Sequence, residues 1–338
     1  RNKIGPVVWT LLKSKIEFVR PCEEKLGSLE DYRLWTALTH HFMRDLPTPE
    51  ELSAYSPSTL EEFLHLYQFK TANDEEGEKE SGLSPLAMAS LSGNAEVVRT
   101  LVSEHKVDVH VPTRDVNSLT GFDIGCTPLH ACMTFCTAGH ADMLTLLLNA
   151  GADINAQSKS GMTPLLAAVA YHNIEGINTL LGAPATRGLR PERGIFLNSG
   201  TPLSVAAYLG STEIVEALVM AGADRAAVND HGATVLHAAC CNPEANHRML
   251  DLLVGMRTDR SVDVNAIYRP RTKKWHLIDV IMETMVRCGN RSLLTVEMSH
   301  VRGSTALHQA AQSGQSHLVE WLLAHGAKKS LGIKNKMG

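Results

Sequence analysis

"TPLHACMTFCTAGHADMLTLLLNAGADINAQ" (residues 127–157) opens with a threonine and a proline, runs through two apolar stretches and closes on a glycine-led polar turn. With Cys126 just before it, its first half places three cysteines and two histidines within 15 residues. That density raises metal or redox chemistry. The rest of the chain shows a different origin for it. Aligned on the opening Ser or Thr, "SPLAMA" (84–89), "TPLHAC" (127–132), "TPLLAA" (163–168), "TPLSVA" (201–206), "TVLHAA" (234–239) and "TALHQA" (305–310) are one motif. Position two is Leu in all six: Leu86, Leu129, Leu165, Leu203, Leu236 and Leu307. Position five is Ala, or Cys132 in its place. Some dozen residues on, paired apolar residues recur one helical turn apart, as in Val97-Val98 with Leu101-Val102 and Ile214-Val215 with Leu218-Val219.

These positions have a physical reading. Thr caps a helix and Pro suits its first turn, where no N–H bond is needed. The small residue at position five lets a neighbouring helix approach closely. The paired apolar residues form the stripe of a second helix. Gly151, Gly222 and Gly326 follow such stripes and supply the left-handed ending. "GADINAQSKSG" (151–161) is then turn chemistry leading to the next threonine.

This pattern resembles the ankyrin repeat family, most fully in the opening stretch and in "GSTALHQAAQSGQSHLVEWLLAHGA" (303–327). The resemblance covers residues 81–338 and implies an all-α solenoid of stacked helix pairs with hairpin-like loops, which binds other proteins through its loops and concave groove. The motif openings are 43, 36, 38, 33 and 71 residues apart. A family unit is 33 residues long, so the last gap predicts a degenerate repeat opening near Thr272, with "KWHLIDVIMETMVRC" (274–288) as its helical material and Lys274 where Leu belongs. Insertions in such arrays fall in loops on one face, where function is often carried.

The cysteines and histidines now have a plainer reading. Cys132 occupies the small packing position, and His130 recurs as His237 and His308, which makes it architectural. His140 follows Gly139 at the turn between helices. A zinc site needs ligands converging at about 2.0–2.3 Å, and repeat geometry points these side chains apart. No metal and no cofactor is expected. "HHFMRD" (40–45) resembles the H-H-x-x-x-D-G signature of condensation-type acyltransferases, but Leu46 replaces its glycine and the same spacing recurs at His247 and Asp251 inside a plain repeat helix. No phosphate-binding loop, dinucleotide fingerprint, zinc-protease motif or nucleophile elbow occurs, so no catalytic residue is expected and the chain reads as non-enzymatic.

Two inserted loops are basic. "TRGLRPERG" (186–194) carries Arg187, Arg190 and Arg193, and "RPRTKK" (269–274) carries Arg269, Arg271, Lys273 and Lys274. Both follow a repeat's second helix and project on the loop side, as a rim for an acidic segment of a partner protein. The overall balance, a formal net charge of −4, gives no drive toward nucleic acid or anionic membrane. No run of 18 apolar residues exists, so nothing in these residues spans a bilayer as a helix. Seven cysteines, two of them adjacent, make a poor disulfide framework and read as reduced and intracellular, in cytoplasm or nucleus.

The two ends differ from the array. Residues 1–70 hold nine of the chain's seventeen aromatics, so a different element is expected there. Helices are predicted over about 6–20 and 29–46, and from Ser58, where Ser-x-x-Glu (58–61) marks a capping box. This region reads as a helical cap on the first repeat, or a small interaction region, and "TPEELSAY" (48–55) also has the look of a relic repeat. An acidic linker, 71–81, separates it from the array, 82–338. At the far end Gly338 stands where a turn glycine precedes the next opening threonine by two, so the pattern predicts a further repeat beyond it. The expected function is a non-catalytic scaffold that binds another protein. The alternatives are the regulatory arm of a membrane channel or transporter and the targeting module of an enzyme. The oligomeric state is not legible.

Overall fold

The computed structural model describes residues 57–67, 69–73, 83–114, 124–134, 140–182, 200–209, 211–230, 232–255, 262–273, 276–278, 280–281, 284 and 302–335. The expected helices over 6–20 and 29–46, the linker and the residues after 335 lie outside these. Contacts divide the described residues into two compact units, those up to 182 and those from 200 onward. Among the described residues both are helical, and the second carries an isolated bridge between Val228 and Thr234.

The first unit contains α1 (Leu60–Leu66), α2 (Pro85–Leu91), α3 (Ala95–Ser103), α4 (Pro128–Thr134), α5 (His140–Asn149), α6 (Pro164–Ala170) and α7 (Ile174–Gly182). First helices form one layer, α2 on α4 and α4 on α6. Second helices form the other, α3 on α5 and α5 on α7. The opening residues do what the motif predicts: Ser84 Oγ and Thr163 Oγ1 accept the N–H of Ala87 and Leu166, both at 3.2 Å. Position two (Leu86, Leu129, Leu165) and position five (Ala89, Cys132, Ala168) are buried, so two layers of short helices close over one core.

The second unit contains α8 (Pro202–Leu209), α9 (Thr212–Met220), α10 (Val235–Cys240), α11 (His247–Val254), α12 (Ala306–Gln312), α13 (Ser316–Ala324) and a closing 3₁₀ turn (Ala327–Gly332). Here α8 packs on α10 and α10 on α12, while α9 packs on α11 and α11 on α13. Gly151, Gly222 and Gly326 all have φ between 85° and 104°, the left-handed helix ending expected of them.

The degenerate repeat expected near Thr272 is not between α10 and α12, which pack directly on each other. The residues concerned leave from a hairpin finger. In an ordinary finger the stem pair stands four positions apart: Ser158 N–H donates to Met162 C=O, and Asn229 N–H to Ala233 C=O. The equivalent pair in the enlarged finger is Tyr268 N–H to Ser304 C=O at 2.8 Å, with Gly303 N–H returning to Tyr268 C=O at 3.0 Å. A shorter insertion is held the same way by Thr113 and Cys126. The sequence agrees with this, since Lys274 stands where the other motifs carry the leucine that plugs the core.

At the N-terminal side the cap is shifted one residue from expectation. Thr59 caps α1 by accepting the Glu62 N–H at 3.2 Å, and the Glu62 carboxylate accepts the Ser58 N–H and hydroxyl, which lowers its pKa. α1 packs on α3, in the layer of second helices, and Asn94 Nδ2 reaches Pro57 C=O at 2.9 Å.

Candidate partner-binding surface

Within each of the two units, two kinds of side-chain bond tie neighbouring repeats together and hold their loops in place. The first runs forward. Nδ1 of His130 accepts the Thr127 N–H at 3.0 Å, while Nε2 lies 3.0 Å from Met162 C=O in the following loop. A backbone N–H only donates, so Nδ1 is the acceptor and Nε2 carries the proton. His237 repeats this with Thr234 and Ser304 C=O. His308 repeats its first half with Thr305. Burial lowers the pKa of His130 and of His237 to about 4. The second bond runs backward. Asn173 Nδ2 donates to Met133 C=O, Asn242 Nδ2 to Ala207 C=O, and Gln315 Nε2 to both Cys240 C=O and Asn242 C=O.

In the described part of the cysteine- and histidine-rich stretch, His130 is therefore a capping group and Cys132 a packing one. Cys132 is fully buried and its thiol pKa is pushed up by desolvation. Cys126 is buried as well; Cys136 and the His140 side chain lie outside what is described. Among the described residues no three His, Cys, Asp or Glu side chains converge as metal ligands. His41 and Asp45 also lie outside them. The spacing twin is structural: His247 Nε2 bonds His317 C=O, and Asp251 accepts the Trp321 indole N–H, both at 3.0 Å.

Of the basic loop residues, Arg187, Arg190, Arg193 and Lys274 fall outside the described residues. Arg269, Arg271 and Lys273 are exposed and follow one another at every second position where the enlarged finger leaves its stem. The root of this cluster is rigid. Tyr268 is buried with its ring edge-on to His237, 6.2 Å between centroids. The Arg271 N–H donates to Asp230 C=O of the neighbouring finger at 2.9 Å. Gly232 makes that approach possible, since a Cβ there would lie 1.9 Å from the Arg269 carbonyl oxygen. From the last member of the cluster onward, Lys273, His276–Ile278, Val280, Ile281 and Thr284 are helical. Leu277, Val280 and Ile281 are exposed, which sequence reasoning missed by assigning this stretch to the stack.

Comparison with known proteins places these features in a family. A family model described as "Ankyrin repeats (3 copies)" matches residues 53–158, 113–191 and 187–267, and one described as "Ankyrin repeat" matches 302–336. The chain belongs to the ankyrin repeat family. The matches leave out 268–301, the insertion of the enlarged finger, and begin at residue 53, ahead of α1. Ankyrin repeats are protein–protein interaction modules and as a family are generally non-catalytic. Among its relatives, neurogenic locus notch homolog protein 2 of Homo sapiens is 41% identical over 113 residues, 32% of this chain and 4% of that protein. Ankyrin repeat and SOCS box protein 16 of Mus musculus is 29% identical over 203 residues, 60% and 37% of the two chains. Tyrosine-protein kinase HTK16 of Hydra vulgaris is 28% identical over 134 residues, 40% and 16%. The chain thus spans less than two fifths of each of these relatives. No helix among the described residues is long and apolar enough to cross a membrane.

Proposed function

We propose that this ankyrin array is an intracellular, non-catalytic scaffold that captures an acidic segment of another protein on its basic loop tips. The observation that carries the reading is the exposed cluster of Arg269, Arg271 and Lys273 on a stem anchored by Tyr268 and Asp230. Cations held on a rigid root are partly pre-organised, so less ordering entropy is lost when a carboxylate-rich chain arrives. Arg187, Arg190 and Arg193 extend the same chemistry in sequence. The test is fluorescence anisotropy with a labelled, glutamate-rich, unstructured peptide. The Arg269→Glu, Arg271→Glu, Lys273→Glu triple variant should bind it at least about tenfold more weakly, the scale at which interface residues count. Equal binding by wild type and variant ends the proposal. The Hydra kinase relative carries a catalytic name while this chain matches 16% of it, which favours as a second reading a targeting module of an enzyme.

A further inference from the structure

The insertion carries three of the five large apolar side chains that are exposed among the described residues: Leu277 at 60%, Ile281 at 47% and Val280 at 41%. The other two, Met220 and Leu331, belong to separate elements. Lys273, Leu277, Val280, Ile281 and Thr284 follow helical spacing along one face, and all five are exposed, while Ile278 on the flank is half-buried. Thr284 Oγ1 donates to Val280 C=O at 2.7 Å, so its hydroxyl is satisfied within the helix. The stripe asks for apolar company. Its charge is placed with equal bias. Arg269, Arg271 and Lys273 gather at the N-terminal end, where the positive pole of a helix disfavours cations. A carboxylate brought to that end meets three cations and a helix pole of one sign.

We propose that this face docks an acidic amphipathic helix of a partner protein, with its apolar side chains on Leu277, Val280 and Ile281 and its carboxylates on Arg269, Arg271 and Lys273. The inference rests on the basic finger being partner-facing and adds an apolar half to it. A second copy docking through this same face fits less well, because it brings Arg269, Arg271 and Lys273 toward their own counterparts, like charge toward like. An anionic bilayer would meet the same cations, and binding to vesicles rather than to peptide tells the two apart.

The probe is a labelled peptide of about 20 residues with Leu at helical i, i+3, i+4 and i+7 spacing and Glu elsewhere, the pattern of helix-in-groove recognition. Its controls are a scrambled peptide of the same composition and phosphatidylserine vesicles. The chain should bind the patterned peptide saturably and the scrambled one several-fold more weakly. Leu277→Ser with Ile281→Ser should weaken the patterned peptide about tenfold, at unchanged helical circular dichroism. If the scrambled peptide binds as well and the serine variant is indifferent, charge alone acts: this inference falls and the basic-finger reading stands. If charge reversal at Arg269, Arg271 and Lys273 leaves both peptides bound, the basic-finger reading falls. Binding to vesicles without binding to peptide, or peptide competition with a concentration-dependent dimer, also overturns the inference.

Discussion

His130 and His237 are each gripped from two sides, by the threonine that opens their own helix and by a carbonyl of the following loop. The grip accepts only the neutral ring, since Nδ1 must receive an N–H. Each pKa falls from 6.5 to about 4 in the folded chain. Above about 6.5 the ring is neutral in both states and its bonds stabilise fully. As pH falls from about 6.5 to about 4 the unfolded chain takes up protons that the folded chain refuses, and stability declines. At about 1.4 kcal/mol per pKa unit, the two rings together are worth several kcal/mol over that window. Thermal unfolding followed between those limits should show a falling midpoint, and the His130→Gln, His237→Gln double variant a flatter curve. An unchanged slope in the variant would assign acid lability to other groups.

At the scale of the helix, the same residue type serves opposite ends depending on what faces it. Leu203 is 1% exposed at position two of α8 and plugs the core between the helix layers. Leu203→Ala should cost about 2–5 kcal/mol in urea unfolding, as buried leucine truncations do. Leu277→Ala, on the insertion, should stay within about 0.5 kcal/mol, as exposed substitutions do. Equal costs would mean that one of the two is misplaced. The short first helices were legible because cap, proline, leucine and alanine all fall within six residues of one another. The place of 274–288 was not, because an apolar run with helical spacing looks the same whether it packs in a stack or hangs from a loop. Only Lys274, at a position where the other motifs have Leu, spoke against stacking. The forward bonds were hidden for a related reason. The sequence shows that His130 and His237 recur, but the carbonyls they reach lie 32 and 67 positions away.

Across the whole molecule, stability follows from neighbour-to-neighbour contacts, and what lies outside the stack is removable. Excising 270–302 and closing the finger with a short turn should leave cooperative unfolding within a few degrees of the parent, measured by circular dichroism. Loss of the cooperative transition would restore a repeat to that stretch. The basic loops were legible as candidates from composition alone; the apolar face beside one of them needed the structure, since exposure is a property of neighbours. The paired stem at Tyr268 and Ser304 has a further, mechanical meaning. The chain enters and leaves the insertion side by side, so tension along the array crosses from one strand of the stem to the other and bypasses residues 269–303. A load carried by the stem is diverted from the insertion, and whatever binds there is not pulled upon until the stem itself gives way.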